Sequence, residues 1–285
     1  MLLVAMATVA RAQTDSTEYM RGYAAGMAAA ALEGRLKDPA PQKVITNARM
    51  IGVGATDILD TYISPEKYRG TELRYVSHTT RMREWGSRMS RQIVHQGYLS
   101  HSENRSGDGT EIAGMYCFSY GAHYNWFFLG GDINVKAGAT LNADAGFLYN
   151  TRDGNNPAQA RLAVSLSPSA VVTWRFRALK KRLAVRYEVG APLLGLMFSP
   201  NYGQSYYEIF NRGDYDHNVV PTTFVSAPSL RQMLTLDIPV GRTALRVGWL
   251  GDWQQSEVNN IKYHNYSNML VLGIVRSFKL ERLAP

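Results

Sequence analysis

The chain has little cysteine and no long apolar run. Cys117 is the single cysteine among 285 residues, which excludes an intrachain disulfide, a CxxC pair and a cysteine-based metal site. We interpret it as a buried, inert thiol. No stretch reaches the roughly 18 consecutive apolar residues that indicate a transmembrane helix. A transmembrane β-barrel is not excluded by this absence, because only alternate residues of its strands are apolar.

Signatures of nucleotide, flavin and nucleic-acid binding are also missing. The formal charge is +8 at pH 7, but the arginines are spread along the chain and form no basic block with interleaved aromatic residues. Acidic lipid headgroups suit them better than nucleic acid. The glycines at 107 and 109 mark a turn and not a phosphate loop, because no basic helix start follows. We therefore predict no cofactor and no nucleic-acid partner.

Candidate metal ligands are present but scattered. His95, His101 and His123 do not form a close-spaced cluster. The segment 102–111 offers carboxylate and amide oxygens of the kind that Ca²⁺, or lipopolysaccharide bridged by a cation, would use. A solvated loop is the favoured interpretation of this segment, and no metal site is predicted.

The most informative stretch runs from Asp132 to Tyr149. Every second residue is polar or small, and the residues between are apolar. Because a β-strand directs alternate side chains to opposite faces, one face is polar and the other is hydrocarbon. The run is longer than the usual strand of about 5–6 residues and exceeds the roughly 9–11 that a tilted strand needs to cross a bilayer. It predicts a transmembrane strand between lipid and a polar interior.

The same alternation predicts ten strands, at 44–59, 69–82, 90–103, 112–127, 130–150, 159–176, 182–196, 230–239, 243–256 and 261–279. The connections near 83–89, 128–131, 177–181 and 239–242 are short, whereas those near 60–68, 104–111, 151–158, 197–229 and 257–260 are mostly longer or richer in turn residues. This asymmetry is typical of outer-membrane barrels. The predicted fold class is therefore all-β, an antiparallel transmembrane β-barrel of about 10 strands. Twelve strands would result if 137–142 is a turn or if 202–226 holds another hairpin.

The residues before the barrel are of a different kind. Residues 1–12 are interpreted as a signal peptide, because the apolar stretch 1–9 precedes a small-x-small cleavage pattern, Ala10-Arg11-Ala12. Residues 13–42 contain tyrosines and methionines at helical spacing between 19 and 31, and fit either a short periplasmic helix or a flexible leader. Residues 43–285 form the barrel, so we predict a protein of the cell outer membrane.

The polar faces of the predicted strands carry charges of both signs. In a narrow barrel such side chains can meet across the interior, and charges removed from bulk water need partners. We predict a networked, largely plugged lumen, with a charge-lined pore for small solutes as the alternative. The predicted network comprises Glu72, Arg74, Asp132, Lys136, Asp144, Arg161, Arg175, Arg186, Glu188, Arg231, Asp237, Arg246 and Asp252.

The longest predicted connection, 197–229, is rich in aromatic residues. Loops on a rigid scaffold commonly carry the recognition surface, and a self-packed lid is the other interpretation. The predicted binding residues of this loop are Tyr202, Tyr206, Tyr207, Phe210 and Tyr215.

The segment 51–74 carries a more specific signal than alternation. It contains a Leu-Asp-Thr-Tyr-x-Ser-Pro loop from Leu59 and a Tyr-x-Gly-Thr-Glu return strand from Tyr68. These residues resemble an uncharacterised Bacteroidota family, domain of unknown function 3316. The resemblance implies a secreted outer-membrane barrel and brings no established activity and no catalytic residues. Physically, Gly52 and Gly54 permit close approach in the first strand, and Asp60 can cap the turn.

A lipid hydrolase is the enzymatic alternative, because residues 263–268 resemble the His- and Ser-containing strand of lipid A deacylases. His264 and Ser267 are three residues apart in sequence, so a regular strand directs them to opposite faces. A nucleophile and its base must be within hydrogen-bond reach. We therefore predict a protein that is not an enzyme and that serves in surface binding or small-solute passage. A structural accessory subunit that docks through 14–41 is a third hypothesis. The predicted partners are outer-membrane lipids, lipopolysaccharide and, during insertion, the barrel-assembly machinery.

Overall fold

The computed structural model describes residues 43–152, 154, 156–178 and 180–280. The predicted signal peptide, 1–12, and the segment 13–42 lie outside the described residues. No helix in the described part is long and apolar enough to cross a membrane. The strands are β1 (Lys43–Asp60), β2 (Ser64–Met82), β3 (Met89–Glu103), β4 (Thr110–Phe128), β5 (Ile133–Asn150), β6 (Ala158–Ala178), β7 (Lys181–Gly190), β8 (Leu194–Phe198), β9 (Val219–Thr223), β10 (Leu230–Val240), β11 (Thr243–Val258) and β12 (Ile261–Leu280), and helix α1 is Tyr206–Arg212.

Ten of these strands close into an antiparallel barrel. Consecutive strands pair from β1 to β7, then β7 pairs with β10, and β10, β11 and β12 follow in order. The ring closes where β12 pairs with β1 along its full length. The predicted fold class and strand number are thereby confirmed. The additional strand β8 pairs with the first half of β6 on one side and with β9 on the other.

Neither condition for the twelve-strand alternative is met. The stretch 137–142 is an unbroken part of β5. The stretch 202–226 holds helix α1 and the single strand β9, so it is not a hairpin of its own, and the partner of β9 is β8, before that stretch. The β8–β9 pair adds to the wall beside β6 and does not raise the number of strands in the closed ring.

The barrel has two unlike ends. We call the end where β1 begins and β12 ends the terminal rim, and the opposite end the loop rim. The terminal rim carries the short turns, as predicted. Two connections of the loop rim are also tight, since only residues 61–63 and 259–260 lie between strands there, and the first is shorter than the predicted 60–68. Asn259 and Asn260 adopt φ of 51° and 59°, a left-handed pair that suits a two-residue hairpin turn.

The alternation of the sequence becomes two separate surfaces. In β5, Lys136 and Thr140 are buried in the interior, whereas Leu141 is 54% exposed on the outside. The same division holds around the ring, and large apolar side chains are exposed on the outer face of many strands: Ile51, Leu73, Leu99, Leu141, Leu166, Leu234, Val247 and Leu272. An outer surface of hydrocarbon around a polar interior is the arrangement expected of a barrel in lipid.

The glycines of the segment 51–74 permit close strand approach. A Cβ on Gly54 would overlap the backbone of Asn268 and Met269 in β12, and a Cβ on Gly70 would overlap the backbone of His101 and Ser102 in β3. At the adjoining turn, the Asp60 side chain accepts a hydrogen bond from the Tyr62 amide at 3.0 Å. The two glycines therefore let the first hairpin lie close to its neighbouring strands, and Asp60 caps its turn, as the residue types predicted.

A candidate ligand cavity in the barrel lumen

The lumen contains a cavity of about 170 Å³. Neutral polar side chains from β3 to β6 supply much of its lining: Gln92, Gln96, Ser119, Thr140, Asn142, Ser165, Ser167 and Ser169. Asn142 Nδ2 donates to Ser167 Oγ at 2.7 Å and to Ser165 Oγ at 3.2 Å. Val94, Met115, Met197 and Met233 add apolar surface. A lining that combines amides and hydroxyls with a larger apolar surface suits a small ligand or headgroup that carries both polar and apolar groups.

Ion pairs fill the lumen between the cavity and the terminal rim. Arg186 Nη1 lies 2.6 Å from Glu188 Oε2, and Gln92 Nε2 donates to the other oxygen of Glu188 at 2.7 Å. Arg246 binds both oxygens of Asp237, at 2.6 and 2.7 Å. These side chains meet from β3, β7, β10 and β11, so the predicted cross-lumen pairing is present at this level.

A second buried group of charges and their polar partners joins four strands, β2, β3, β11 and β12, beside the cavity. Arg74 Nε donates to Glu72 Oε1 at 2.7 Å, and its guanidinium also pairs with Asp252 on β11. The Tyr98 ring lies under the guanidinium, with 4.5 Å between the ring centroid and Cζ. Ser267 Oγ donates to the other Glu72 oxygen at 2.5 Å. Glu72 and Arg74 are 0% and 1% exposed, so their charges are held by partners and not by water.

Packed side chains also separate the cavity from the loop rim. Arg161 lies 3.5 Å from the centroid of the Tyr263 ring and 3.9 Å from the Asp60 carboxylate. Around them, Ile58, Tyr62, Ile63, Ala113, Leu148, Ile261 and Tyr263 form a hydrophobic cluster, and Tyr206 of α1 packs against it. The cavity is therefore bounded by packed layers towards both rims.

Helix α1 is attached to the loop rim through Tyr206. Its ring meets that of Tyr62 edge to face at 6.0 Å, and its hydroxyl accepts a hydrogen bond from the Ala160 amide at 2.6 Å. The Tyr62 hydroxyl in turn donates to the Gln204 carbonyl at 2.9 Å. Tyr202, Tyr207, Phe210 and Tyr215 are exposed. Of the five predicted binding residues of this loop, Tyr206 thus anchors the helix to the barrel, and the other four have exposed rings.

A capping box starts α1. Ser205 Oγ accepts from the Glu208 amide, and the Glu208 carboxylate accepts from the Ser205 amide. That hydrogen bond, followed by the one from the Ser205 hydroxyl, lowers the pKa of Glu208 below its ordinary value. The helix is only seven residues long, so its start depends on this cap more than a long helix would.

We expect Ser205→Ala to destabilise α1 locally by about 0.5–2 kcal/mol, because the orphan amide at the helix start loses its acceptor. Amide hydrogen exchange over 206–212 should accelerate while exchange in β1 and β12 stays unchanged. Ser106→Ala, in another loop at the same rim, is the matched control and should leave α1 unaffected. Unchanged exchange in Ser205→Ala would contradict a role of the cap in holding this segment.

The residues of the predicted lumen network fall into three groups. Glu72, Arg74, Arg161, Arg186, Glu188, Asp237, Arg246 and Asp252 form ion pairs in the interior. Lys136, Asp144 and Arg231 face the interior, and none of the three forms an ion pair among the described residues. Asp132 and Arg175 lie at the terminal rim. Asp132 belongs to the turn before β5 and pairs with Arg182 in an exposed setting, so its placement in the lumen is corrected.

The loop at 104–109 satisfies its own polar groups. Asn104 Oδ1 accepts the amides of Gly107 and Gly109, at 3.0 and 3.1 Å. The Ser106 hydroxyl and the Asn104 amide donate to Asp108, and these bonds lower the pKa of that carboxyl. Within the described ranges, no group of three or more His, Cys, Asp or Glu side chains is placed to hold a metal ion.

The proposed hydrolase pair is separated by the wall. His264 faces outwards, stacks on Tyr266 at 4.5 Å and contacts Asp57 Oδ1 through Nε2 at 3.0 Å. Ser267 is fully buried in the interior and donates to Glu72. The two side chains therefore cannot act as nucleophile and base on one substrate atom.

Sequence reasoning did not identify the neutral side of the cavity. Gln92 and Gln96 face inwards from β3, where His95 and His101 also make the outer face polar, so alternation is weak in this strand. The serines of β6 do alternate with leucines and valines, and this pattern could have indicated that the serines line the interior. Their convergence with Asn142 depends on the pairing of β5 with β6.

Comparison with protein families gives a match over residues 1–283 to the model described as "Protein of unknown function (DUF3316)". No curated protein matches the chain.

Several solved outer-membrane structures are similar to this chain. The translocator domain of the autotransporter NalP from Neisseria meningitidis has a TM-score of 0.37 and 10% identity, covering 93% of this chain and 98% of that one. The transport unit of the autotransporter AIDA-I from Escherichia coli has a TM-score of 0.41 and 6% identity, covering 86% and 92%. An outer-membrane channel from Pseudomonas putida F1 has a TM-score of 0.35 and 10% identity, covering 84% and 96%. The fold assignment itself rests on the strand pairing of this chain.

Proposed function

The chain belongs to the family of proteins of unknown function DUF3316, and from this premise we propose a non-enzymatic outer-membrane barrel that binds a small polar ligand in its lumen. The observation that carries the proposal is the cavity of about 170 Å³ between packed layers of side chains. Such a cavity offers hydrogen-bonding groups to a ligand without an open aqueous path through the barrel. Of the two roles expected from the sequence, binding is therefore favoured over free passage.

The proposed location follows from the two surfaces of the barrel. Exposed hydrocarbon on the outer face suits lipid, and the short turns of the terminal rim suit the periplasmic side. The loop rim with α1 would then face the outside, in contact with lipopolysaccharide, after insertion by the barrel-assembly machinery. The Bacteroidota origin and the signal peptide stay predictions from the sequence.

We expect the purified barrel to give no discrete openings in planar lipid bilayers at either polarity. The pairs Arg186–Glu188 and Arg246–Asp237 fill the lumen near the terminal rim. A variant that lacks 201–217 should stay closed as well, because these pairs lie away from the loop. Discrete openings of uniform size in the unmodified protein would contradict the proposal. Openings only in the shortened variant would instead assign closure to the loop.

A second candidate function is recognition at the outer surface through the 197–229 connection. The observation in its favour is the exposure of Tyr202, Tyr207, Phe210 and Tyr215, which are 67%, 59%, 62% and 63% exposed. Exposed aromatic rings on an anchored loop supply contact area at a low cost in conformational entropy. The accessory-subunit hypothesis depends on 14–41, which lie outside the described residues, and it stays a prediction.

A further inference from the structure

The wall of the barrel is interrupted at the level of the cavity. The ladder between β7 and β10 ends where Gly190 pairs with Arg231. The next backbone hydrogen bond across this seam runs from the Phe224 amide to the Leu193 carbonyl, at 3.1 Å. Between these points, 191–193 bond to β6 instead, through Ala191 to Pro168 and Leu193 to Leu166. On the other side of the seam, residues 224–229 form the connection between β9 and β10. The seam therefore carries no ladder over this interval.

The cavity extends to this seam. Gly190 and Pro192 line it from the β7 side, and Ala227 and Ser229 line it from the β10 side. The lining also includes Leu162, Val164 and Leu230, whose side chains belong to the outer face of the wall. Leu162 and Val164 are each 48% exposed there. Packed side chains thus close the cavity towards both rims, and its opening to the outer surface is lateral, through the wall.

The neighbouring edge is loosely joined too. In the part of the chain that the structure describes, β9 forms a ladder with β8 and none with β11. The residues at 254–258 of β11 are joined to the 224–229 turn by the Glu257 amide to the Ser226 carbonyl, at 2.8 Å, and by the Gln255 amide to Ser229 Oγ, at 3.2 Å. Few bonds would have to change for this turn to move.

One buried polar group and two half-buried charged groups of the cavity are available to a ligand. Gln96 is 4% exposed, and its Oε1 has no hydrogen-bond partner among the described residues. Asp144 and Arg231 both line the cavity and are half-buried. Neither forms an ion pair in the described part of the chain, although Asp144 has the Cys117 thiol as a hydrogen-bond partner. Buried acceptors and charges are normally satisfied. The cavity accordingly suits a headgroup that carries a cation, an anion and a hydrogen-bond donor.

We propose that the seam between Gly190–Leu193 and Phe224–Arg231 is a lateral portal, through which a single-chain zwitterionic amphiphile places its headgroup in the cavity. Its acyl chain would pass between Gly190 and Ala227 to the apolar outer face. The anionic group would meet Arg231, and the cationic group would meet Asp144. This inference rests on the proposed function, since it assigns a ligand class and a route to the same cavity.

The test uses the full-length protein in phosphatidylglycerol nanodiscs that contain a lysophosphatidylcholine with a fluorescent acyl chain. Gly190→Phe should block the portal, since a Cβ at this position meets only Ser169 Cβ at 3.5 Å and Pro168 O at 3.6 Å. The surrounding atoms therefore leave room for the phenylalanine side chain without a shift of the backbone. Gly97→Phe is the matched control, because a Cβ at Gly97 meets only Met115 O at 3.7 Å and the residue lies on the outer face of β3, away from the cavity.

We expect the unmodified protein and Gly97→Phe to bind the probe, and Gly190→Phe to bind it at least about tenfold more weakly. Arg231→Gln should weaken binding as well, while glycerophosphocholine, the water-soluble headgroup, should compete. Heat-modifiable migration on gels would show that each variant is folded.

Other outcomes separate the two proposals. Equal probe binding by folded Gly190→Phe would overturn the portal. If glycerophosphocholine bound and the probe did not, the lateral route would be rejected while the cavity stood as a site for soluble ligands. If neither molecule bound to the unmodified protein, the portal would be overturned. If other small polar molecules also failed to bind, the proposed function would be rejected as well.

Discussion

Replacing Arg74 with alanine is expected to lower the free energy of unfolding of the barrel by about 3–5 kcal/mol, the usual cost of removing one partner from a buried ion pair. Arg74 is 1% exposed and lies between Glu72 on its own strand and Asp252 on β11. Its loss leaves two carboxylates in a water-poor interior without a cation in contact. The measurement is urea unfolding in detergent micelles, followed by tryptophan fluorescence.

A matched control distinguishes buried from exposed pairing. Arg182 lies 2.6 Å from Asp132, but the two side chains are 61% and 48% exposed. Arg182→Ala should therefore cost about 0–1 kcal/mol, because water screens the pair. Equal losses in the two variants would refute the view that the interior ion pairs are shielded from solvent.

A further variant tests whether the charge or the shape of the group matters. The triple change Glu72→Gln, Arg74→Met and Asp252→Asn removes all three charges and keeps similar volumes. It should recover much of the stability lost in Arg74→Ala, since uncharged groups need no counter-ion. If the triple variant is as unstable as Arg74→Ala, packing and hydrogen bonds within the group outweigh its electrostatics.

Placing an arginine at Leu141 is expected to destabilise the folded barrel in lipid by about 2–4 kcal/mol, the range for a cation on the lipid face near the middle of the bilayer. Leu141 lies at the centre of β5, between Ile133 and Asn150, and is 54% exposed on the outer face. The expected loss arises from transfer of the guanidinium into hydrocarbon, and it should be measured by unfolding from phosphatidylcholine vesicles.

The depth dependence provides the control. Tyr149 is on the same face of β5, one residue from its end at the loop rim, and is 43% exposed. Tyr149→Arg should cost only about 0–1 kcal/mol, because the side chain reaches the headgroup region. An unaltered stability of Leu141→Arg in vesicles would mean that this face does not contact lipid, and the proposed location would then be wrong.

Some features of this protein follow from local sequence alone. The alternation in β4, β5, β6 and β12 assigns each side chain to one of two faces without reference to any other strand, since the period of two is a property of the extended backbone. The turns were equally local, because glycine, asparagine and aspartate residues specify them. The segment from Gly52 to Glu72 went further and identified both the first hairpin and the family.

Other features had no local signal. Arg74 and Asp252 are 178 positions apart, and which of the interior carboxylates meets this arginine depends on the register of every strand between them. Asp132 fits the alternating pattern of β5, but the strand begins one residue later, at Ile133. Asp132 therefore lies in the preceding turn and not in the lumen. Gln96 was not identified because β3 has polar residues on both faces. A local pattern cannot show which of two polar faces is the interior one.

The sequence by itself determined that this chain alternates between hydrocarbon and polar groups often enough to close about ten strands, because strand periodicity is encoded residue by residue. Only the tertiary structure decided that β12 returns to β1, that β7 breaks at Pro192 and leaves a seam beside β10, and that Asn142, Gln96 and Arg231 surround one cavity. Those outcomes depend on the stagger of the closed ring, which is a property of all the strands together and of none of them singly.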